Sequence, residues 1–255
     1  MALVESTFDG GVLTITMADV EHRNSLNRRF VAELVAALDA ADRDPAVRVV
    51  VLTNDGTVFC AGADLSERSA RGATGGVLGG ADPTALFGRF RHSPKPYVGR
   101  IAGHCVAGGM GLAAGLDISI AVDHARFGFT EVRVGVAPAM VSVVCLRKMR
   151  PADAQAAFLR GNRFTAGEAV HFGLITASVP EERLDDEIAL VVDDLLAGGP
   201  EAIAATKQLT ARVPTMSEEE AFAWTARLSA ELFASDEARE GMTAYLEKRP
   251  ARWRP

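Results

Sequence analysis

Residues 59–65 have the sequence Phe-Cys-Ala-Gly-Ala-Asp-Leu and come shortly after an apolar run, residues 47–53. Because this run is rich in valine, it predicts a buried β-strand. The small residues Ala61, Gly62 and Ala63 leave the backbone N–H groups of the following turn open to a ligand. Such N–H groups can stabilise an oxyanion that forms during a reaction. A tight turn without a chemical role is the simpler interpretation of this stretch taken alone.

A second stretch of the same kind lies about 45 residues further along the chain. A predicted strand, residues 95–101, is followed by Gly108 and Gly109 and then by small and apolar residues up to Gly115. These residues favour a tightly packed helix, whose first N–H groups have no partner within the helix and carry partial positive charge. Two turns that both present N–H groups are what an oxyanion hole requires. Close helix packing by small residues is the alternative.

Further motifs flank the two turns. Residues 21–27 (Glu-His-Arg-Asn-Ser-Leu-Asn) precede them, and residues 127–135, 164–169, 173–175 and 245–249 follow them. Together with the turns, and in this order along nearly the whole chain, these motifs resemble the crotonase, or enoyl-CoA hydratase/isomerase, superfamily. The resemblance implies an α/β fold, a spiral of ββα units with a C-terminal helical region.

The order of the predicted elements agrees with an α/β fold. Strands at 3–8 and 12–17 flank an Asp-Gly-Gly turn, and a helix at 28–42 follows Asn27, a residue type that favours helix N-termini. Three further helices are predicted in the last third of the chain, at residues 182–196, 200–213 and 217–233.

The chain is expected to form two regions of one functional unit. Residues 1–195 are expected to form the spiral core with the acyl-CoA site, and residues 196–255 the C-terminal helical region. The resemblance implies that this region packs in a homotrimer or a dimer of trimers. The glycine-rich segment 66–83 predicts a flexible surface loop, which the resemblance places over the acyl pocket.

Composition excludes several classes of function. The 255 residues are 48% hydrophobic, enough for a sizeable core, and the net charge of −6 argues against nucleic acid binding. Cys60, Cys105 and Cys145 are far apart and predict small core residues, and the five histidines have no metal-binding spacing. No apolar run is long enough to span a membrane. We therefore expect a cytoplasmic protein without a metal, and without a cofactor other than the coenzyme A carried by its substrate.

Glu131 is the candidate acid/base. Its neighbours in sequence are mostly apolar, and burial favours the neutral carboxyl group, so its pKa is expected to rise. A structural ion pair with Arg133 or Arg126 is the alternative. The resemblance implies the catalytic role, because the corresponding Glu serves as acid/base in many members of the superfamily.

Leu112 marks a departure from the superfamily pattern. Hydratases with two carboxylates carry a second Glu at this position, and residues 136–141 also lack the acid used by some dienoyl-CoA isomerases. Three hypotheses follow: a hydratase that adds water to a 2-enoyl-CoA, an isomerase that moves a double bond between the 3- and 2-positions with one Glu, and an acyl-CoA-binding protein with little turnover. Other chemistry with a single Glu, such as retro-aldol cleavage or decarboxylation, also stays open.

The resemblance assigns the remaining roles. The N–H groups of Ala63 and Gly109 would hold the thioester oxygen. Substrate and coenzyme A would be bound by Arg23, Ser25, Leu26, Ala61, Gly62, Asp64, Leu65, Gly108 and Lys248. For Arg23 and Lys248, solvated surface charge is the alternative.

Residues 109–114 also match the loose pattern Gly-x-Gly-x-x-Ala of dinucleotide-binding proteins. Since no convincing second strand with a terminal acid follows at the required distance, dinucleotide binding is not predicted.

Overall fold

The computed structural model describes residues 2–67 and 84–254. Most of the segment predicted as a flexible loop, residues 66–83, lies outside the described residues. The strands are, in chain order, β1 Val4–Asp9, β2 Val12–Met17, β3 Val49–Asn54, β4 Val58–Cys60, β5 Tyr97–Ile101, β6 His104–Val106, β7 Ile118–Val122, β8 Arg126–Gly128, β9 Phe164–Thr165 and β10 Ala177–Val179.

Two β-sheets form the framework. The larger has the order β1-β2-β3-β5-β7-β10 and the smaller the order β4-β6-β8-β9. The larger sheet is parallel from β2 to β10, while β1 pairs with β2 as an antiparallel hairpin. Every residue of β3 is buried, as the continuous apolar run predicts for a parallel strand that is covered on both faces.

The chain winds in a spiral that places one strand in each sheet per turn. β3 is followed by β4, β5 by β6, and β7 by β8, with helical segments after the second strand of each pair. This arrangement confirms the predicted α/β spiral of ββα units. It also brings the carboxyl ends of β4, β6 and β8 to one edge of the smaller sheet, because these three strands are parallel.

Helices cover the sheets and form most of the C-terminal part of the chain. Asn27 caps the first helix as predicted, since its side chain accepts the N–H of Phe30 at 2.8 Å. The predicted helices agree with the structure to within two residues at each end. The α-helices are α1 Arg28–Arg43, α2 Arg89–His92, α3 Gly108–Gly115, α4 Ala139–Cys145, α5 Pro151–Arg160, α6 Ala166–His171, α7 Leu184–Ala197, α8 Pro200–Arg212, α9 Glu218–Ala234 and α10 Asp236–Glu247.

The core lies between the sheets and the helices that cover them. Phe30, Leu34 and Leu38 of α1 are completely buried, and the three cysteines are buried and unpaired, as predicted. In the part of the chain that the structure describes, no helix has both the length and the apolar character needed to cross a membrane.

Arg48 ties the C-terminal end of the chain to the start of β3. Its Nη1 donates to the carbonyl of Trp253 at 2.7 Å and its Nη2 to that of Gly198 at 2.8 Å. The Trp253 indole N–H donates in turn to the carbonyl of Ala197 at 3.0 Å. The end of α7 and the last residues of the chain thus share one anchor, and the division of the chain at residue 195 stays a prediction.

A largely buried ion pair fixes α8 to the larger sheet. Lys207 Nζ lies 2.6 Å from Asp117 Oδ2, which also accepts the N–H of Tyr97 at 2.7 Å. Removing one partner of such a pair leaves an uncompensated charge in the interior. We therefore expect Lys207→Ala to lower the free energy of unfolding by about 3 kcal/mol, measured by denaturant unfolding.

The control for this prediction is Arg183→Ala. Arg183 forms exposed ion pairs with Asp186 and Glu187 on the protein surface, and exposed pairs contribute only about 0–1 kcal/mol. Equal effects of the two substitutions would contradict the stabilising role of the buried pair.

Candidate active site

A cavity of about 410 Å³ opens at the carboxyl ends of β4, β6 and β8. The turn after β4 contributes Ala61 and Ala63, the turn after β6 contributes Ala107 and Gly108, and Glu131 follows β8. Ligands of parallel sheets commonly bind at this edge. The topology therefore assembles in one place three segments that are well separated in the sequence.

The turn after β4 is held by backbone hydrogen bonds from the motif at residues 21–27. Leu26 N–H donates to the carbonyl of Gly62 at 2.7 Å, and Ala61 N–H donates to that of Arg23 at 3.1 Å. Gly62 has a φ of +83°, and a Cβ there would lie 2.6 Å from Ala107 Cβ. Only glycine fits this position, because the two turns touch.

The turn after β6 carries backbone strain. Ala107 has a φ of +49°, a value that costs a non-glycine residue of order 1–3 kcal/mol and is often found at functional sites. Its N–H donates to the carbonyl of Gly128 at 2.9 Å, which links this turn to β8. The hydrogen bond to β8 and the contact with the turn after β4 therefore hold the strained backbone of Ala107 in place.

The N–H groups of Ala63 and Gly109 are free of protein acceptors within residues 2–67 and 84–254. Gly109 is the second residue of α3, where an N–H has no partner in its own helix. A Cβ on Gly108 would lie 3.7 Å from the nitrogen of Ala63, so the two turns are close enough to act on one ligand atom. Gly108 lines the cavity, while Gly109 is buried just beneath it.

Glu131 begins a 3₁₀ helix, Glu131–Val134, and lines the cavity. Its Oε2 is buried and has no hydrogen-bond partner among the described residues. Burial raises the pKa of Glu131, as predicted from its apolar neighbours. A buried oxygen without a hydrogen-bond partner lowers the stability of the fold unless it is protonated or binds a ligand.

The alternative ion pair of Glu131 is not found among the described residues. The guanidinium of Arg133 binds the end of α5 instead, where its Nε donates to the carbonyl of Gly161 at 2.7 Å. The carboxyl group is therefore available for chemistry.

Leu112 is completely buried inside the protein and does not line the cavity. Of the described residues that do line it, Glu131 alone carries a carboxylate. The remaining wall is mainly apolar and suits a hydrocarbon chain; it includes Phe87, Val134, Val136, Met140 and Val141.

Other predicted binding residues fall into two groups. Leu26, Ala61, Leu65 and Gly108 line the cavity, whereas the structure does not place Arg23, Ser25, Gly62, Asp64 or Lys248 among the lining residues. The carboxylate of Asp64 accepts the Ser66 N–H at 2.9 Å and the Ser66 hydroxyl at 2.6 Å, and these bonds lower its pKa. Arg23 is exposed beside the first turn. Lys248 is exposed at the end of α10.

Phe87 is a wall residue that the sequence does not reveal. It lies in a short π-helix, Thr84–Gly88, and its ring approaches the backbone of α3 at Gly111, where a Cβ would lie 2.9 Å from the ring. π-helical turns often accompany functional sites. No motif marks this residue, because its position depends on contacts made only in the folded chain.

The described residues contain no group of three His, Cys, Asp or Glu side chains that could hold a metal ion. The described groups that line this cavity are backbone N–H groups, the carboxyl group of Glu131, the side chains of Thr130 and Arg133, and a mainly apolar wall.

Comparison with known proteins places the chain in a family. The family model described as enoyl-CoA hydratase/isomerase matches residues 7–255. Enoyl-CoA hydratase EchA19 of Mycobacterium tuberculosis is 33% identical, with 98% of this chain and 97% of that protein covered. Carnitinyl-CoA dehydratase of Salmonella arizonae is 32% identical, with 97% of each covered. The crystal structure of an enoyl-CoA hydratase from Mycobacterium smegmatis superimposes with a TM-score of 0.93 over 99% of both chains at 30% identity. Matched along nearly its whole length, the chain belongs to the enoyl-CoA hydratase/isomerase family.

Proposed function

We propose that this protein is an enoyl-CoA hydratase, which adds water to the double bond of a 2-enoyl-CoA. The observation that supports the proposal is the buried, partnerless Oε2 of Glu131 in a cavity beside two turns with free N–H groups. A carboxyl group of raised pKa can both accept and return a proton near neutral pH.

In the proposed mechanism the thioester oxygen accepts hydrogen bonds from the N–H groups of Ala63 and Gly109. Glu131 as carboxylate takes a proton from water, and the hydroxide oxygen bonds to C3. The electron pair of the double bond moves into the thioester, and the two N–H groups stabilise the resulting enolate. Glu131 then returns its proton to C2, so both new bonds form on the same face of the substrate.

The coenzyme A part of the substrate would lie along the first turn. We propose that Arg23 meets its phosphates and that Ser25, Leu26, Ala61, Gly62, Asp64 and Leu65 border its path. Lys248 would contribute from a neighbouring subunit of a trimer or a dimer of trimers. Exposed apolar side chains in the helical tail support such an assembly; they include Phe222, Phe233, Tyr245 and Leu246. The proposed location is the cytoplasm.

A second candidate is an isomerase that uses Glu131 alone. It is favoured by the observation that Leu112 is buried and that no second carboxylate lines the described part of the cavity. Moving a double bond from the 3- to the 2-position needs one base, which removes a proton at C2 and delivers it to C4. The same observation is compatible with an acyl-CoA-binding protein of low turnover.

Two substrates separate these candidates. Crotonyl-CoA should lose the absorbance of its conjugated enoyl thioester if the protein is a hydratase. A 3-enoyl-CoA should gain that absorbance if the protein is an isomerase. Binding of acyl-CoA by calorimetry, without product by mass spectrometry, would identify the low-turnover alternative, and inactivity together with absent binding would overturn the proposal.

Phe87 should limit the length of the acyl chain. It is almost completely buried and separates the reaction cavity from a second cavity of about 560 Å³. Phe87→Ala should join the two cavities and raise kcat/KM for 2-decenoyl-CoA relative to crotonyl-CoA by at least about tenfold, because each buried methylene contributes about fourfold.

The same substitution should lower the free energy of unfolding by about 3–5 kcal/mol. The matched control is Phe90→Ala, since Phe90 is fully buried but lines neither cavity. It should cost similar stability without changing the ratio of the two substrates. An equal shift of the substrate ratio in both variants would show that a loosened core causes it, and would contradict the role of Phe87 as the wall between the cavities.

A further inference from the structure

The cavity on the far side of Phe87 from the reaction cavity has a mainly apolar interior. Ile118, Val144, Leu195 and Ile203 contribute to its wall. Asp117 is the one carboxylate among the described residues that line it, and Lys207 already neutralises this group at 2.6 Å. The interior therefore suits a hydrocarbon chain better than a cation.

A basic cleft of about 660 Å³ opens directly beside this apolar cavity. The two share Arg91, Arg147, Lys207 and Ala211 as lining residues. The cleft is also lined by His92 and Arg212, and none of its described lining residues is Asp or Glu. Apart from Lys207, which Asp117 neutralises, the cations at the mouth of the apolar cavity face no acidic lining residue of the cleft.

Besides Lys207, Arg91 and Arg147 are the cations that border both the cleft and the apolar cavity and can receive a ligand there. Lys207 is fully engaged, because its Nζ bonds to the carbonyls of Phe90 and Lys95 as well as to Asp117. Arg91 is held in place by the carbonyl of Ala211, and Arg147 makes no ion pair with any described residue.

The two guanidinium groups lie within electrostatic reach of each other. Burial lowers the pKa of Arg91, and the charge of Arg147 lowers it further. A carboxylate between two guanidinium groups removes this repulsion and can bind each of them in a two-point arrangement. Anion binding at the mouth and hydrocarbon binding in the interior are therefore both favoured within one continuous space.

We propose that the apolar cavity and the basic cleft form a binding site for a medium-chain fatty acid, with its carboxylate between Arg91 and Arg147 and its chain in the cavity behind Phe87. This site is separate from the reaction cavity and does not rest on the proposed hydratase activity. Since Phe87 borders both cavities, a fatty acid bound here would contact the residue that also forms the acyl wall.

Calorimetric titration of the full-length protein with octanoate tests the ligand class. Octanoate should bind saturably, and hexanoate should bind about sixteenfold more weakly, because two fewer methylenes are buried at about fourfold each. Octan-1-ol has the same chain without the charge and should bind at least about tenfold more weakly than octanoate, because it cannot form the charge-assisted bonds to the guanidinium groups. Equal binding of the acid and the alcohol, or no saturable binding of octanoate, would overturn the proposal.

Variants test the position of the site. Arg147→Gln should weaken octanoate binding at least about tenfold, whereas Arg227→Gln, an equal charge change at an exposed arginine that lines neither the basic cleft nor either cavity, should leave it unchanged. Thr210→Trp should also weaken binding, because Thr210 is exposed and its side chain borders the apolar cavity.

Met140→Trp serves as the complementary variant, because it fills the reaction cavity and should leave octanoate binding intact. If Met140→Trp abolished binding while Arg147→Gln did not, the acid would occupy the reaction cavity and the proposal would fail. Thermal unfolding of each variant shows that the compared proteins are folded.

Discussion

Replacing Glu131 by Gln should lower kcat/KM for the enoyl-CoA substrate by about 10²–10⁴, the usual contribution of a general acid/base. The amide has nearly the same shape as the carboxyl group, but it cannot accept a proton from water or return one to C2. The loss should appear in kcat while the binding of a saturated acyl-CoA is retained, because the N–H groups of the oxyanion turns are not altered.

The same variant should be as stable as the wild-type protein or more stable. The folded state raises the pKa of Glu131, so the carboxyl group stabilises the fold fully below its unfolded pKa of about 4.3, and that contribution is lost as the pH rises through the folded pKa. The stability of Glu131→Gln relative to wild type should therefore increase as the pH is raised above about 4. Denaturant unfolding at a series of pH values measures this difference.

Glu168→Gln is the matched control for both measurements. Glu168 lies in the capping box of α6, where hydrogen bonds from Thr165 lower its pKa. Its contribution to stability is present above its unfolded pKa and lost as the pH falls, the opposite sign to Glu131. Turnover should be unaffected by this change. Wild-type activity of the Glu131→Gln variant would show that Glu131 is not the acid/base.

Replacing Gly109 by Ala should lower kcat by about 10²–10³, the typical cost of losing one oxyanion donor. A Cβ on Gly109 would lie 2.6 Å from the carbonyl oxygen of Cys60 and 2.9 Å from its Cβ. Both atoms belong to the buried end of β4, which cannot yield easily. The methyl group should therefore push the two turns apart and move the N–H of Gly109 away from that of Ala63.

Gly108→Ala provides a control with the same chemical change one residue away. Its Cβ would lie 2.7 Å from Leu26 Cδ1, the far end of a side chain, and 3.3 Å from Gly62 Cα. This variant should keep a larger part of the activity than Gly109→Ala. Because enolate stabilisation acts in the transition state, the Gly109→Ala effect should fall on kcat more than on KM. Equal losses in both variants, or a loss confined to KM, would argue against a paired oxyanion hole.

The sequence predicts those parts of the protein that depend on local patterns. The helix after Asn27, the buried run that forms β3 and the two small-residue turns agree with the structure because capping, periodicity and side-chain size act over a few residues. The raised pKa of Glu131 is also predictable from the sequence, since its flanking residues are apolar.

Features that depend on contacts between residues far apart in the sequence cannot be predicted from local patterns. Phe87 becomes a wall between two cavities only when its π-helix packs against α3. The basic cleft brings Arg91 and Arg147 from different elements to one rim. The resemblance implies that Lys248 binds coenzyme A, with action across a subunit boundary as one possibility. Lys248 does not line the cavity of the single chain, so its role depends on a neighbouring subunit and stays a proposal.

The two hydrogen bonds of Arg48 affect the order in which parts of the chain can fold during synthesis. Its two carbonyl partners are 150 and 205 residues further along the sequence. During synthesis, strands β1 to β7 emerge before either acceptor, so the partly buried guanidinium of Arg48 lacks both carbonyl partners until Gly198 emerges, and lacks the second until Trp253 follows. Docking of the segment around Trp253 should therefore follow assembly of the larger sheet, and a nascent chain stalled before Trp253 should keep this edge of the protein open to chaperones and proteases.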